Sequence, residues 1–303
     1  MIKSFPMGEI LIGTCSWTDP TLLECGRFYP PWARSAEARL QYYASQFSIV
    51  EVDSSYYALP NQQTSKLWAE RTTEKFVFDV KAFRLFTQHP TPLAALPRDI
   101  REAVPAEARE KPSVYQRDLP QELTDEVWAR FEQALLPIDS AGKLGVVLFQ
   151  FPPWFYPGEE QREYILWCKQ RLRQYKLAIE FRHSSWLNSK NRERTLTFLR
   201  DNDLALVCVD EPQGFKSSMP PIAEATSDIG VIRFHGRNTG TWEKRGATVA
   251  ERFNYLYSEA ELREWVPKIQ ELASKTRQLH VLFNNCYQDK AVINARQVAF
   301  MID

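Results

Sequence analysis

The residues in this sequence that could perform chemistry stand at the ends of short apolar runs. In "KLAIEFRHSSW", the apolar run closes with Glu180, Arg182 and His183, which places an acid, a base and an imidazole almost side by side. A charge taken out of water without a partner costs several kcal/mol or shifts the pKa of its group. Charged residues at the end of a buried strand are therefore expected to pair with one another or to contact a ligand.

Other apolar runs end with the same kinds of side chain. In "SIVEVDSSYY", Glu51 and Asp53 share one face of a strand, and in "FVFDVKAF" Lys81 follows Asp79 at the same spacing of two. The remaining polar positions at run ends are Gln150, Asp210, Arg233, His235, Asn284 and Asn285. Carboxyl and imidazole groups can act as general acids and bases, and guanidinium groups bind anions through a two-pronged fork.

This distribution predicts one polar site with two kinds of residue. The candidate catalytic residues are Glu180, Glu51, His183 and His235. The candidate substrate-binding residues are Lys81, Arg182, Arg233, Gln150, Asn284, Asn285 and Trp186. We expect the buried charges to pair, Glu180 with Arg182 or Lys81, and Glu51 with Arg233. A purely structural role is the alternative for each residue, because ion networks without chemistry also occur inside barrels.

Metal and cofactor binding have little support in the sequence. The chain has 4 His without an HxH or HExxH pattern, and its 5 Cys form no CxxC pair. The carboxylates of the predicted site could hold a divalent ion, but the lysine and arginine side chains expected beside them would repel one. We therefore predict no metal ligands and no cofactor.

The elements that must position these residues alternate along the chain. Eight short apolar runs read as strands: "EILIGTC", "SIVEVDSSYY", "FVFDVKAF", "KLGVVLFQF", "KLAIEFRH", "LALVCVD", "GVIRFHG" and "LHVLFNN". Amphipathic segments such as "EEQREYILWCKQRLRQY" and "SEAELREWVPKIQELASK" lie between several of them. Strand–helix alternation implies parallel pairing, and eight units predict an α/β fold, a (β/α)8 TIM-type barrel with its active residues at the C-terminal ends of the strands. An open doubly wound sheet is the alternative, but no Gly-rich fingerprint marks a switch point.

We predict a single domain over residues 1–303 with a long insertion after the third strand. The insertion covers about residues 85–143, is rich in Pro and charged residues, and closes with the helical segment "TDEVWARFEQALLPI". A second long connection reads "GRNTGTWEKRGATVAERFNYLYS". Long loops in compact folds are often lids or binding loops.

Composition narrows the possible partners. Lys plus Arg and Asp plus Glu each number 38, so the formal net charge is zero, which argues against a strongly basic nucleic-acid-binding protein. We see no signal peptide and no run of apolar residues long enough to span a membrane, and the odd number of cysteines indicates a reduced compartment. We therefore expect a soluble, cytoplasmic protein with no membrane partner.

Several longer motifs resemble one known family. They are "IGTCSWTDP", "FYPPW", "FSIVEVDSSYYALP", "FDVKAFRLFTQHP", "LGVVLFQFPPWF", "AIEFRHSSW", "VIRFHGRN" and "LFNNCYQDKAVINARQ". In this order they resemble the YecE-like family, the domain of unknown function numbered 72. The resemblance implies a TIM-type barrel, which agrees with the strand count, and implies no established activity. The barrel of that family also looks distantly like those of sugar isomerases and of endonuclease IV-type enzymes.

The resemblance also implies which residues surround the mouth of the barrel. Carried over by position, they are Glu51, Lys81, Gln150, Glu180, Arg182, His183, Arg233, His235, Asn284 and Asn285. The sequence departs from the family pattern at three places. Cys15 or Ser16 stands where Gly is common, Asp53 where Asn is common, and Cys286 where His is common.

Three kinds of function fit these observations. The first is an enzyme that acts by acid–base chemistry on a small-molecule ligand, anionic or polyhydroxylated, at the barrel mouth. The second is nucleic-acid processing, for which the second long connection offers Arg237, Trp242, Lys244 and Arg245. The third is a module that binds a metabolite or a partner without catalysis. The sequence leaves open whether the protein is an enzyme.

Overall fold

The eight apolar runs are parallel strands that close into one barrel in chain order, as predicted. The structure, a computed structural model, describes residues 7–302. The strands are Glu9–Thr14 (β1), Ile49–Val52 (β2), Val77–Lys81 (β3), Leu144–Gln150 (β4), Leu177–Glu180 (β5), Ala205–Asp210 (β6), Ile229–Phe234 (β7) and Gln278–Phe283 (β8). Pairing of β8 with β1 closes the barrel, so neither strand has an open edge.

Helices follow the strands and surround the barrel. They are Pro20–Cys25 (α1), Ala36–Gln46 (α2), Ser54–Tyr57 (α3), Gln62–Glu70 (α4), Arg98–Ala103 (α5), Ala106–Arg109 (α6), Gln121–Ser140 (α7), Glu159–Arg171 (α8), Arg192–Asp201 (α9), Val249–Arg252 (α10), Glu259–Arg263 (α11), Val266–Ala273 (α12) and Lys290–Ile302 (α13). Single 3₁₀ turns cover Leu93–Ala95, Gln116–Asp118 and Ser184–Trp186. Within residues 7–302, no helix is long and apolar enough to cross a membrane.

Local sequence explains where several helices begin. The Ser35 side chain caps α2 by accepting from the backbone N–H of Ala38, and Asn61 caps α4 in the same way. One predicted helical segment is two helices in the structure, because α11 ends at Arg263 and α12 starts at Val266. Pro267 lies in the first turn of α12, where its missing N–H has no intrahelical partner to lose.

The insertion after β3 packs against the outer helices. Its predicted closing helix is α7, and Arg130 of that helix forms an ion pair with Asp99 of α5 at 2.5 Å. Tyr164 of α8 donates a hydrogen bond to the backbone oxygen of Phe86 at 2.8 Å. The first contact joins two helices of the insertion, and the second joins the insertion to α8. His89 of the insertion contacts Trp154 in the loop after β4.

A buried polar pair fills the barrel interior below the mouth. Asp79 on β3 lies 2.9 Å from Nδ1 of His280 on β8, and its other oxygen accepts from the backbone N–H of Val146 at 2.9 Å. Gly145 leaves the space for this pair, since a Cβ there would stand 2.3 Å from the Asp79 oxygen. Asp79 is therefore directed away from the mouth, although it shares a strand face with Lys81.

Candidate active site at the barrel mouth

Polar side chains converge at the C-terminal ends of the barrel strands. Lys81, Gln150, Glu180 and Asp210 are the last residues of β3, β4, β5 and β6. Arg182 and His183 follow β5, His235 follows β7, and Asn284 and Asn285 follow β8. This is the end of a TIM-type barrel at which active sites are found.

Arg233 on β7 holds two carboxylates from different strands. Its Nη1 donates to Glu180 Oε2 at 2.6 Å, and its Nη2 donates to Glu51 Oε1 at 2.7 Å. The other Glu51 oxygen lies 3.4 Å from the Cys15 thiol. All three charged side chains are fully buried. The pairing of Glu51 with Arg233 that we predicted is confirmed.

Arg182 is the second cation of this network. Its Nε lies 2.6 Å from Glu180 Oε1, which confirms Arg182 as one of the two partners predicted for Glu180, while the other, Lys81, pairs with Asp53. Its Nη1 donates to Glu211 Oε2 at 2.8 Å, and the other Glu211 oxygen accepts from the backbone N–H of Met219 at 2.6 Å. Glu211 was not among the residues predicted for the site. Its position immediately after the polar end of β6 was the available signal.

The two carboxyl groups on Arg233 have opposite pKa shifts. Burial opposes ionisation of Glu180, but the guanidinium groups of Arg182 and Arg233 outweigh it and hold its pKa well below the usual range. Burial raises the pKa of Glu51, and the positive charges of Arg233 and Lys81 offset only part of that rise. Glu180 is therefore a stable carboxylate, whereas Glu51 holds a proton more readily.

His235 connects the network to Asn284. Its Nε2 lies 3.1 Å from Arg182 Nη2 and 3.3 Å from Glu180 Oε1, and its Nδ1 lies 2.9 Å from the Asn284 amide. Burial, together with the charge of Arg182, lowers the pKa of His235 to about 3. A neutral imidazole has one donor and one acceptor nitrogen, so its Nε2 can accept from Arg182 or donate to Glu180.

The site has two layers that differ in solvent exposure. Lys81, Arg182 and Asn284 keep 7%, 8% and 9% of their surface exposed, and we call them the outer layer. Glu51, Glu180, Arg233 and His235, which have no exposed surface, form the inner layer. A ligand entering from solvent therefore meets the outer layer first.

Lys81 is held by groups on the loop after β2. Its Nζ donates to Asp53 at 2.8 Å and lies 4.7 Å from the centroid of the Tyr56 ring. Although burial alone would lower the pKa of Lys81, the Asp53 carboxylate raises it, so the amine stays charged. Arg182 has a matching arrangement, with its guanidinium 5.4 Å from the Trp242 ring. The outer layer thus presents two cations, each backed by an aromatic face.

Two predicted substrate-binding residues lie away from the mouth. Trp186 is fully buried, and its indole N–H donates to the backbone oxygen of Phe155 at 2.6 Å. Asn285 is also buried, and its amide donates to the Tyr255 backbone and to Asn294 on α13. Asn284, by contrast, contacts His235 at the mouth.

The remaining predicted residues lie at the edge of the mouth. His183 is partly exposed, and its Nδ1 lies 2.6 Å from the Ser185 hydroxyl. Gln150 is partly exposed at the end of β4, in register with Glu180. Both residues keep polar atoms near solvent, where they can meet a bound molecule.

The Asp210 carboxylate is bonded to three other side chains of the protein. It accepts hydrogen bonds from the Tyr257 hydroxyl at 2.7 Å and from the Trp265 indole at 2.6 Å, and it forms an ion pair with Arg237 at 2.8 Å. Arg237 also pairs with Glu264 at 2.8 Å. The Arg237 guanidinium is thus occupied within the protein.

Within residues 7–302, no group of three or more His, Cys, Asp or Glu side chains could hold a metal ion.

Residues 11–303 match the family model described as "Protein of unknown function DUF72". The chain belongs to the DUF72 family. The UPF0759 protein YunF of Bacillus subtilis (strain 168) is 33% identical over 298 residues, which is 97% of this chain and 95% of that protein. These findings confirm the resemblance drawn from the sequence motifs.

Solved structures of DUF72 proteins have the same fold. TM1631 of Thermotoga maritima MSB8 gives a TM-score of 0.73 at 30% sequence identity, covering 97% of this chain and 99% of that one. EF0366 of Enterococcus faecalis V583 gives a TM-score of 0.76 at 23% identity, covering 97% of this chain and 95% of that one. The DUF72 relatives therefore support the barrel and leave the chemistry of the mouth to be argued from its residues.

Proposed function

We propose that the protein is an enzyme that acts by acid–base chemistry on a small anionic or polyhydroxylated substrate at the barrel mouth. The observation that carries this proposal is the sharing of Arg233 by Glu51 and Glu180, whose pKa values are shifted in opposite directions. Two carboxyl groups with environments that separate their pKa values are the usual basis for assigning an acid and a base.

Each residue has a distinct role in the proposed reaction. Glu51 is the general acid, because burial favours its protonated form, and Glu180 is the general base, because it stays ionised. Lys81 and Arg182 bind the negative charge of the substrate. Gln150 and Asn284 hydrogen-bond its hydroxyl groups.

The buried inner layer requires that the outer layer moves when substrate binds. Lys81 now pairs with Asp53, and Arg182 with Glu180 and Glu211. A substrate anion competes with these carboxylates for the two cations and draws them outward, which opens a path to Glu51 and Glu180. Arg233 has no exposed surface and stays in place as the residue that positions both carboxyl groups.

Substrate binding also prepares Glu51 for proton donation. The positive charge of Lys81 lowers the Glu51 pKa. When the substrate anion neutralises that charge, the Glu51 pKa rises further and the proton is retained until the reaction. The proposal thus links recognition of an anion to the protonation state of the acid.

A turnover screen with sugar acids and sugar phosphates tests the proposal. We expect Glu51→Gln and Glu180→Gln to lower kcat by about 100-fold or more, as is typical for loss of a general acid or base. Glu259→Gln, which removes a carboxylate from an exposed α11 pair, is the matched control and keeps full activity. Equal activity in all three variants would remove the catalytic proposal. Tight binding without turnover would assign the mouth to a binding module.

The cytoplasm is the compartment we propose. All five cysteines are free thiols in the structure. Cys15, Cys168 and Cys208 are buried, and burial raises the pKa of each thiol, which keeps them protonated and unreactive.

A further inference from the structure

Two exposed aromatic side chains stand at the edge of the mouth. Trp154 and Tyr156 lie in the loop after β4 and keep 49% and 54% of their surface exposed. The proposed acid–base roles use neither residue. Large aromatic side chains left half in solvent beside a polar mouth indicate a contact surface for a ligand.

The loop that carries them is anchored from beneath. Phe155, between the two exposed residues, is buried and stacks on Phe151 with a centroid distance of 4.1 Å. Its backbone oxygen accepts the hydrogen bond from the Trp186 indole at 2.6 Å. The surrounding sequence "PPWFYP" also restricts the backbone through its prolines. Trp154 and Tyr156 are therefore held outward before any ligand arrives, which lowers the entropy cost of binding.

The aromatic pair is continuous with the cations of the outer layer. The ring centroids of Trp154 and His89 are 5.8 Å apart, and those of His89 and Tyr56 are 5.4 Å apart. The Nζ of Lys81 lies 4.7 Å from the centroid of the Tyr56 ring. On the other side, Tyr156 contacts His183 at 4.6 Å. A molecule whose charged end is held by Lys81 and Arg182 thus extends over Trp154 or Tyr156 if it is longer than one ring.

We propose that Trp154 and Tyr156 form an outer subsite for the second sugar ring of an acidic oligosaccharide whose charged end occupies the mouth. This inference rests on the proposed function. A sugar ring has an apolar C–H face and a polar hydroxyl edge. The two aromatic faces match the apolar C–H face of the sugar, and the polar atoms of His183 and Gln150 match its hydroxyl edge. Lys81 and Arg182 supply the charge complementarity that selects an acidic chain.

Calorimetric binding to paired probes tests the subsite. The two pairs are galacturonate with digalacturonate and glucose phosphate with trehalose phosphate. Uridine monophosphate is a fifth probe, which carries a nucleobase in place of a second sugar ring. We expect the disaccharide of at least one pair to bind about 5- to 10-fold tighter than its monosaccharide. Trp154→Ala and Tyr156→Ala reduce this preference and leave monosaccharide affinity unchanged. Trp32→Ala, which removes an exposed tryptophan that packs on Tyr42 of α2, keeps the preference.

The possible failures are distinct. Monosaccharide binding without a preference for any disaccharide overturns the subsite and leaves the proposed function standing. A preference that survives in both Trp154→Ala and Tyr156→Ala does the same. Tighter binding of uridine monophosphate than of every sugar probe, lost in Trp154→Ala, overturns the oligosaccharide in favour of a nucleobase. Absence of binding by any acidic probe to the unaltered protein overturns the acidic-oligosaccharide subsite, whereas the proposed function is decided separately by the turnover screen.

Discussion

Glu51 and Glu180 meet at the two nitrogen tips of one guanidinium. They come from β2 and β5, and Arg233 of β7 bonds one with each Nη at 2.7 and 2.6 Å. One buried positive charge cannot fully compensate two buried negative charges. Arg182, whose Nε lies 2.6 Å from Glu180, adds a second positive charge beside that carboxylate, whereas burial raises the pKa of Glu51. The arrangement shifts the pKa values of two identical side chains in opposite directions.

Removing Arg233 is expected to destabilise the protein strongly. Arg233→Met leaves Glu51 and Glu180 buried without their shared cation, so the free energy of unfolding should fall by about 3–5 kcal/mol. Adding Glu51→Gln and Glu180→Gln to the same chain should recover most of that loss, because the uncompensated charges are then gone. Urea unfolding of the single and triple variants measures both effects.

A surface arginine provides the matched control for this experiment. Arg263 pairs with Glu259 on α11, and both side chains are mostly exposed. Arg263→Met should cost less than about 1 kcal/mol. Comparable losses from Arg233→Met and Arg263→Met would show that the buried network contributes no more than a solvated pair.

Substitutions of Lys81 and of its partner Asp53 should move the Glu51 pKa in opposite directions. Lys81 lowers this pKa and Asp53 raises it. Lys81→Met should therefore raise the Glu51 pKa, and Asp53→Asn should lower it. Carbon NMR of labelled glutamate side chains follows the titration without a substrate. Lys66→Met, at an exposed position on α4, serves as the control and should leave the pKa unchanged. Shifts of the same sign in Lys81→Met and Asp53→Asn would contradict the assigned geometry.

Stability should fall as the pH drops below about 6.5, partly because of His89. Burial, followed by the charges of Lys81, Arg84 and Arg182, lowers the pKa of His89 to about 3. The folded state keeps His89 neutral, whereas His89 in the unfolded chain binds a proton as the pH falls through about 6.5. The contribution of His89 to the free energy of unfolding is therefore fully present above about pH 6.5. It is lost progressively between about pH 6.5 and 3, with a slope of at most about 1.4 kcal/mol per pH unit.

The variant His89→Gln isolates this contribution. It should flatten the dependence of the unfolding free energy on pH between about 6.5 and 4, whatever its effect on stability at neutral pH. Urea unfolding at a series of pH values gives the two slopes. An unchanged slope would mean that His89 becomes protonated in the folded protein.

Trp186 should matter for stability and for the loop above it. Trp186→Phe removes the donor to the Phe155 backbone oxygen and leaves that buried acceptor unpaired, which costs about 1–3 kcal/mol. Because the indole is fully buried, monosaccharide affinity should stay unchanged while any preference for a disaccharide weakens. Calorimetry and urea unfolding on the same variant separate these effects. Reduced monosaccharide affinity at unaltered stability would show that Trp186 takes part in ligand binding at the mouth.

Much of the barrel and of its charged centre could be predicted from the sequence. Apolar runs of strand length separated by amphipathic segments predict the strand order, because parallel strands need helical crossovers. The strand period places Glu51 inside the barrel, and the cost of burying its charge requires a partner, which is Arg233 in the structure.

The errors lie where the strands end. Beyond the last residue of a strand, the period of two no longer fixes which way a side chain points. Trp186 was expected at the mouth, but the 3₁₀ turn Ser184–Trp186 directs it beneath the loop after β4. Glu211 was not predicted because the polar residue that ends that run is Asp210, which bonds Tyr257 and Trp265 on either side of α11. Loop conformation depends on tertiary packing, which composition and periodicity do not contain.

The polar pair below the mouth restricts how this sequence can evolve. Gly145 has no side chain, and a Cβ would collide with the Asp79 carboxylate and with His280 at 2.3 and 2.7 Å. Any larger residue at position 145 therefore demands a simultaneous change at position 79 or 280. Replacing Asp79 or His280 first removes the hydrogen bond that joins them inside the barrel. The cost of a substitution at any one of these three positions therefore depends on which residues occupy the other two.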